Sequence, residues 1–596
     1  MDGRKLQSAI DSVRQGRLSR RVFVSRMIGL GLTAPMATQL LALGGVAVAQ
    51  PASAYKPTKA GGGGTLKLLW WQGPTLLNPH FAVGTKDQDG SRLFYEPLAA
   101  WDSKAEIRAV LAAEIPSIAN GGLTEDGKSV TWKLKQGVKW HDGEPFTADD
   151  VVFNWTYARD PATAAVTVGS YNTVTVEKVD AFTVRVSSDI PMTFWADAFV
   201  GNNGMIIPKH LFEDYAGGKS RDAPTNLRPV GTGPYLFKDF RPGDLVTGVI
   251  NPNYHQPNRP YFDAVEMKGG GDATSAARAV LQTGEYDLAW NLLVEDEVLT
   301  RLEAAGKGSV RITNGGNLEM IQLNSTDPNV EVDGERSSVK TVHPSLSDPA
   351  VRQALSLLVD RESVHKYIYG RGGAVTPNVV YNPAQFRSPN TSFEFNVDKA
   401  IAVLDKAGWK PGPDGIRAKD GKQLKYLFQT STNGPRQKTQ QIIKQTLKKA
   451  GIEVELKSVI SSVFFSSDVA NPDTYPHFYA DLQMYTTGPL LPDPQLWMQL
   501  FLSTEVAQKA NKWQGRNICR WRNAEFDTVF KQASAEIDPV KRAALIIKLN
   551  DLVIRNVVVI PVVTRPSVAA LAKTLQAELS GFDSYIWDLA NFYKEG

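Results

Sequence analysis

Seven histidines, one cysteine and 62 carboxylates are the side chains of this chain best able to do chemistry. The histidines are His80, His141, His210, His255, His343, His365 and His477, and the closest two, His343 and His365, are 22 residues apart. Motifs such as H-x3-H or H-E-x-x-H set two imidazoles on one helical face, and no such spacing occurs. The single cysteine, Cys519, excludes an intramolecular disulfide and any thiolate cluster. Beside it stand Arg520 and Arg522 but no base, so it reads as a small buried hydrophobe. Asp149-Asp150, and Asp481 with Asp493, are pairs of the kind glycoside hydrolysis uses. In a chain with this many carboxylates, a helix cap and a solvated loop account for them.

Glycine-rich stretches offer no better chemistry. Gly218-Lys219-Ser220 resembles the end of a phosphate loop, but Glu213 stands where the first glycine belongs and would repel phosphate. No G-x-S-x-G elbow occurs, and no G-x-G-x-x-G follows a strand. Gly231-Thr232-Gly233-Pro234-Tyr235 lacks the Pro234 N–H a phosphate nest would use, and reads as a tight turn into a strand. The expectation is no catalytic residue, no metal ligand, no cofactor and no enzyme.

The elements that would carry a site are interspersed strands and helices, an α/β pattern without internal repeat. Thr65–Trp71 and Ser129–Lys135 alternate as strands, and residues 172–187 read as a hairpin around Val179-Asp180. Thr147 caps a helix to Tyr157, with Asp150 completing a variant capping box. Asp348-Pro349 opens a helix predicted to reach about Tyr369. Further helices are predicted over Asn396–Ala407 and Gln437–Ala450, the second followed by the strand Ile452–Lys457. Asp538-Pro539 starts the last helix, which leads into the apolar strand Val557–Pro561. Thr326–Val342 reads as a surface loop.

The first 54 residues stand apart. Ser19-Arg20-Arg21-Val22-Phe23-Val24, a weakly apolar run from Met27 to Val48, and Ala52-Ser53-Ala54 form the order of an export signal. The paired arginines resemble the twin-arginine (Tat) class, with Ser25-Arg26 where a lysine often stands. Cleavage is expected near Ala54, with Ala47-Val48-Ala49 as the earlier alternative, and no cysteine there would take a lipid. The segment carries seven Lys+Arg and two Asp+Glu, a balance of +5 against +4 for all 596 residues. The mature chain is therefore near −1, too little basic field to suggest nucleic acid or an anionic membrane.

Several stretches in order resemble the family 5 extracellular solute-binding proteins, the oligopeptide/dipeptide/nickel group serving ABC importers. They are Leu76–His80, Tyr95-Glu96-Pro97-Leu98, Gly231–Tyr235, Gly284–Asp287, Val351–Leu355 and Ala407-Gly408-Trp409. The most specific is 130–152, where Val130–Lys135 leads to Gly137-Val138-Lys139-Trp140-His141-Asp142-Gly143 and then Phe146–Val151. The resemblance implies a type II periplasmic binding protein-like α/β fold of three lobes with a hinge-closed cleft. Residues 1–54 are then the signal and 55–64 a linker. Lobe I comprises 65–95, 225–315 and 560–596, lobe II is the insertion 96–224, and lobe III is 316–559. The crossovers are expected near Asn314–Leu318 and Val559–Thr564. It also implies His141-Asp142-Gly143 as a structural turn, a periplasmic monomer, and an ABC permease as partner after export by the Tat machinery.

Peptide-binding members of the family hold the peptide's amino terminus with an aspartate just before an Asp-Pro pair. Here the pair is Asp493-Pro494, Leu490 takes the aspartate's place, and the loop Tyr485–Pro492 holds no acid. A buried ammonium without a partner costs several kcal/mol. The expected cargo is a peptide or peptide-like solute, or alternatively a non-peptide such as an opine or glycoside; a Tat-exported hydrolase is the less favoured alternative function. The expected ligand-binding residues are Trp71 and Gln72 after the first strand, Trp290 and Asn291, Tyr485, Thr486 and Thr487, and Trp497. Aromatic faces with hydroxyl and amide groups suit such ligands. Arg436, after Asn433-Gly434-Pro435, is expected as a solvated loop arginine, with contact to an anionic ligand as the alternative.

Overall fold

Thr65–Leu69 ends two residues short of its predicted limit and lies at the centre of a seven-stranded sheet. The structure, a computed structural model, describes residues 8–10, 12–13, 17–29, 37, 56–489, 491–536 and 538–595. The strand order is Gly308–Thr313, Ser567–Ala572, Leu288–Ala289, Thr65–Leu69, Ala264–Lys268, Leu245–Ile250, Tyr235–Arg241. Thr65–Leu69 is parallel to both neighbours, and the other pairs are antiparallel. Parallel pairs need cover on both faces, and Leu66, Leu68 and Trp70 are wholly buried.

A second sheet of five strands runs Glu453–Val459, Lys425–Ser431, Leu482–Thr487, Leu318–Leu323, Val559–Thr564. Apolar clusters cover it on both sides. One includes Ile321, Phe428 and Ile443, and the other Met320, Phe526 and Leu549. Pro561 sits in the edge strand, where a missing N–H is tolerated, and the register slips opposite it between Glu319 and Met320. A smaller antiparallel sheet joins Ser129–Lys133, Thr183–Ser187 and Thr175–Asp180.

The chain changes sheet twice. Thr313 ends a strand of the large sheet and Leu318 begins one of the five-stranded sheet. The return falls at Arg565-Pro566, because Val559–Thr564 pairs with Leu318–Leu323. Residues 560–564, expected in lobe I, thus pair within the five-stranded sheet. The first crossover packs closely on the turn after Leu482–Thr487: a Cβ on Gly316 would overlap the Pro489 carbonyl, and one on Gly488 the Gly316 carbonyl. Only glycine allows that approach.

Caps fall where polar residues precede apolar periodicity. Thr147 and Asp150 make both bonds of a capping box on Ala148–Arg159. Asn396 caps Val397–Lys406, and Gly408 follows at φ +87°. Other expectations shift. The predicted helix to Tyr369 breaks into Pro349–Leu357, Arg361–Val364 and a wider turn His365–Tyr369, because Asp360 caps a new start through Ser363 N–H. The helix predicted from Gln437 begins at Gly434, capped by Asn433 with Pro435 in its first turn. The hairpin turn falls after Asp180. Within the predicted loop 326–342, Glu331–Val332 pairs with Glu335–Arg336, and Thr326 and Ser337 are buried. Arg20–Gly29 is helical, and both expected cleavage sites lie outside the described residues. Among the described residues no helix is long and apolar enough to cross a membrane.

Candidate functional site

The residues first weighed for catalysis are structural. His141 accepts from Gly231 N–H at Nδ1 (3.1 Å) and lies 3.0 Å through Nε2 from the Gly233 carbonyl, so it staples the glycine turn. Asp150 is a cap, and Asp149 pairs with Lys178. Asp481 holds His343 and the Leu427 N–H. Asp493 is gripped by both Nη groups of Arg542. Burial pushes the Cys519 thiol up to about 12. Among the described residues no three His, Cys, Asp or Glu side chains gather as a metal site.

A cavity of about 310 Å³ lies between the two large sheets, with both crossovers in its wall. From just beyond two strands of the seven-stranded sheet come Gln72, Trp290 and Asn291; from the five-stranded sheet come Tyr485, Thr486 and Thr487. Trp497, on the short helix Gln495–Met498, completes the set. Seven of the eight residues expected from the sequence thus meet at one place. Trp71 does not line it. Its indole donates to the Asn291 carbonyl at 3.0 Å and tilts against Trp290, so it buttresses the wall from behind. Trp70 packs deeper, stacked on Trp290 at 5.8 Å and donating to Asp89 Oδ2 at 3.0 Å. Such stacking adds about 0.5–1.5 kcal/mol beyond burial and stiffens the aromatic wall.

Arg436 is not solvated. It is 4% exposed and forks onto the wholly buried Glu319, with Nη2 at 2.9 Å and Nε at 3.1 Å. Thr486 joins them, accepting from Arg436 and donating to Glu319. The other charges around the cavity are also committed, with two exceptions. Lys86 pairs with Asp87 at 2.8 Å. Asp89 accepts from Trp70 and Ser584, and burial raises its pKa to about 7. Asp583 accepts from Trp101 N–H and Ser584 N–H, and burial raises it as well. Arg516 and Arg565 line the cavity with no ion pair among the described residues.

Leu490 lies outside the described residues; its neighbours Pro489 and Leu491 line the cavity. Arg516, Arg565 and Trp513 were missed from sequence. For Arg565 a signal existed, since it directly follows the apolar run expected to make the second crossover. Arg516 and Trp513 lie in a stretch without periodicity and gave none.

Two sheets joined by two crossovers around an interior cavity define the type II class of solute-binding proteins. The profile of bacterial extracellular solute-binding proteins, family 5 (middle), matches residues 111–509. The chain belongs to that family. It is 28% identical over 499 residues to the oligopeptide-binding protein AppA of Bacillus subtilis (strain 168), covering 82% of this chain and 83% of that one. It is 25% identical over 513 residues to the glutathione-binding protein GsiB of Escherichia coli O157:H7, covering 84% and 89%. The structure of B. subtilis AppA with a nonapeptide superposes with a TM-score of 0.77 at 24% identity, covering 91% of this chain and 100% of that one. That of AgaA with agropinic acid, from A. tumefaciens R10, gives 0.73 at 18%, covering 89% and 99%.

Proposed function

We propose that this protein captures a peptide or peptide-like acid in the cavity between its two large sheets and delivers it to the membrane permease of an ABC importer. The observation that carries the reading is the cavity itself, walled by both sheets and by the crossovers that join them. A solute filling it bridges the two bodies and favours their closure about Asn314–Asn317 and Arg565-Pro566. The relatives AppA and GsiB, whose names specify oligopeptide and glutathione, support a peptide-like cargo. The three-lobe division, with the return to lobe I placed after Thr564, is part of this reading.

The protein acts as a monomer, without bond-making chemistry, in the periplasm. It reaches that compartment folded through the Tat machinery and loses its signal near Ala54. The support is the order of Arg20-Arg21, apolar run and small residues in the sequence. A second reading keeps the role and changes the cargo to an opine or glycoside. It is favoured by the carboxylates of the cavity, all of which already serve protein donors.

The test is to purify the mature chain, denature it, and identify co-purifying small molecules by mass spectrometry. Short peptides or peptide-like acids are expected. A sugar or opine establishes the second reading, and turnover of an added substrate by the pure protein overturns both.

A further inference from the structure

Arg565 occupies an unusual place. It is the first residue after the last strand of the five-stranded sheet, so it stands in the second crossover. Its N–H donates to the Asn317 carbonyl at 2.7 Å, which ties it to the first crossover. Its side chain is 3% exposed and lines the cavity. A guanidinium carries five N–H donors. Nη1 gives one to the Pro566 carbonyl at 2.9 Å and Nη2 gives one to Asn291 Oδ1 at 2.9 Å. Nε has no partner.

No carboxylate compensates this charge by contact among the described residues. Glu319 is near enough to act on it through space, but Glu319 already receives Arg436 and Thr486. Two buried guanidiniums and one carboxylate leave a full positive charge at the cavity wall, and burial above all, with the like charge of Arg436, disfavours it. A buried, unpaired charge costs several kcal/mol unless an opposite charge arrives. Asn291 sits at φ +51°, a left-handed conformation that asparagine tolerates, and Trp71 holds its carbonyl. Protein structure is thus spent on aiming Arg565. No comparable arrangement serves a cation, since Asp493, Asp89 and Asp583 are each engaged by protein donors.

We propose that the cavity selects solutes by a carboxylate docked on Arg565, and that a free amine on the solute adds nothing to selection. This deepens the proposed function and rests on it. The planar fork of arginine matches a carboxylate. Because Arg565 belongs to one crossover and is bonded to the other, the docked acid touches the segment about which the sheets close.

The test uses the full mature chain in equilibrium dialysis against four tripeptide pools: unmodified, N-acetylated, C-amidated, and blocked at both ends. Retained molecules are counted by mass spectrometry. Unmodified and N-acetylated pools are expected to be retained to within about twofold, and amidated pools at least about tenfold less, as the loss of one charge-assisted contact implies. Arg565→Met is expected to bring acid retention down to the amide level. Should it fail to fold, Arg565→Lys keeps the charge without the fork and is expected to fall between. Equal retention of amides, or a tenfold loss on N-acetylation, overturns the proposal while leaving solute binding intact. Retention of no pool overturns the peptide reading itself, and this inference with it.

Discussion

Glu319 gives the sharpest test of how the cavity floor is held. It is wholly buried and receives Arg436 Nη2 at 2.9 Å, Arg436 Nε at 3.1 Å and the Thr486 hydroxyl. Glu319→Gln preserves the shape, removes the charge, and turns an NH2 toward a guanidinium that only donates. Arg436 then remains 4% exposed with one neutral amide oxygen, the Ser431 hydroxyl at 2.6 Å and Thr486 as partners, and no counter-charge. Removing one member of a buried pair costs about 3–5 kcal/mol. Charge-assisted bonds at about 1.5–3 kcal/mol each set the ceiling. Replacing both charges, Glu319→Leu with Arg436→Met, leaves nothing unpaired, so most of the loss should return. The assay is urea unfolding followed by tryptophan fluorescence across the double-mutant cycle, with a coupling of at least about 2 kcal/mol expected. A loss below about 1 kcal/mol for Glu319→Gln, the range of exposed pairs, would refute the burial argument. So would a double variant as unstable as the sum of the singles.

Three further outcomes follow from the same geometry. Asn291→Ala strips Arg565 Nη2 of its partner and places alanine at φ +51°, so a loss of about 1–3 kcal/mol and weaker retention of acid tripeptides are expected; unchanged retention would show that Arg565 needs no aiming. Asp89 has its folded pKa raised to about 7 from 3.8, so the folded chain holds a proton that the unfolded chain has lost between those values, and stability falls as pH rises through that window. Asp89→Asn should flatten this slope by about one proton in melting curves from pH 4 to 7, and an unaltered slope would place the titration elsewhere. Cys519 is 3% exposed with its thiol pushed up to about 12, so iodoacetamide at pH 8 should label it only after unfolding; rapid native labelling would contradict its burial.

How far the sequence carried depended on the range of the interaction. Thr147 with Asp150, Asn396 with Gly408, and the strict alternation of Ser129–Lys133 are local signals, decided within a few residues, and they were legible. The break at Leu358–Asp360 was not, because a second cap inside an apolar periodicity looks like one polar residue on a helix face. The site shows the same division. Gln72, Trp290, Asn291 and Tyr485–Thr487 were reachable because they lie at strand ends or continue a strand that faces the crossovers. Trp71 stands behind the wall with Trp70, because alternation along a strand does not say whether another side chain, here Trp290, comes between a residue and the cavity.

What the sequence by itself determined is the α/β order of elements, the absence of local catalytic and metal motifs, and the family resemblance that the profile match bears out. Only the tertiary structure decided which charges are free. Arg436 meets Glu319 across 117 residues and Arg565 meets Asn291 across 274, distances over which one-dimensional spacing carries no information. Desolvation and pairing depend on what the fold brings within a few ångströms. Two arginines that look alike on the page therefore differ in kind: one is neutralised in the floor of the cavity, and the other stands uncompensated in the strand crossover.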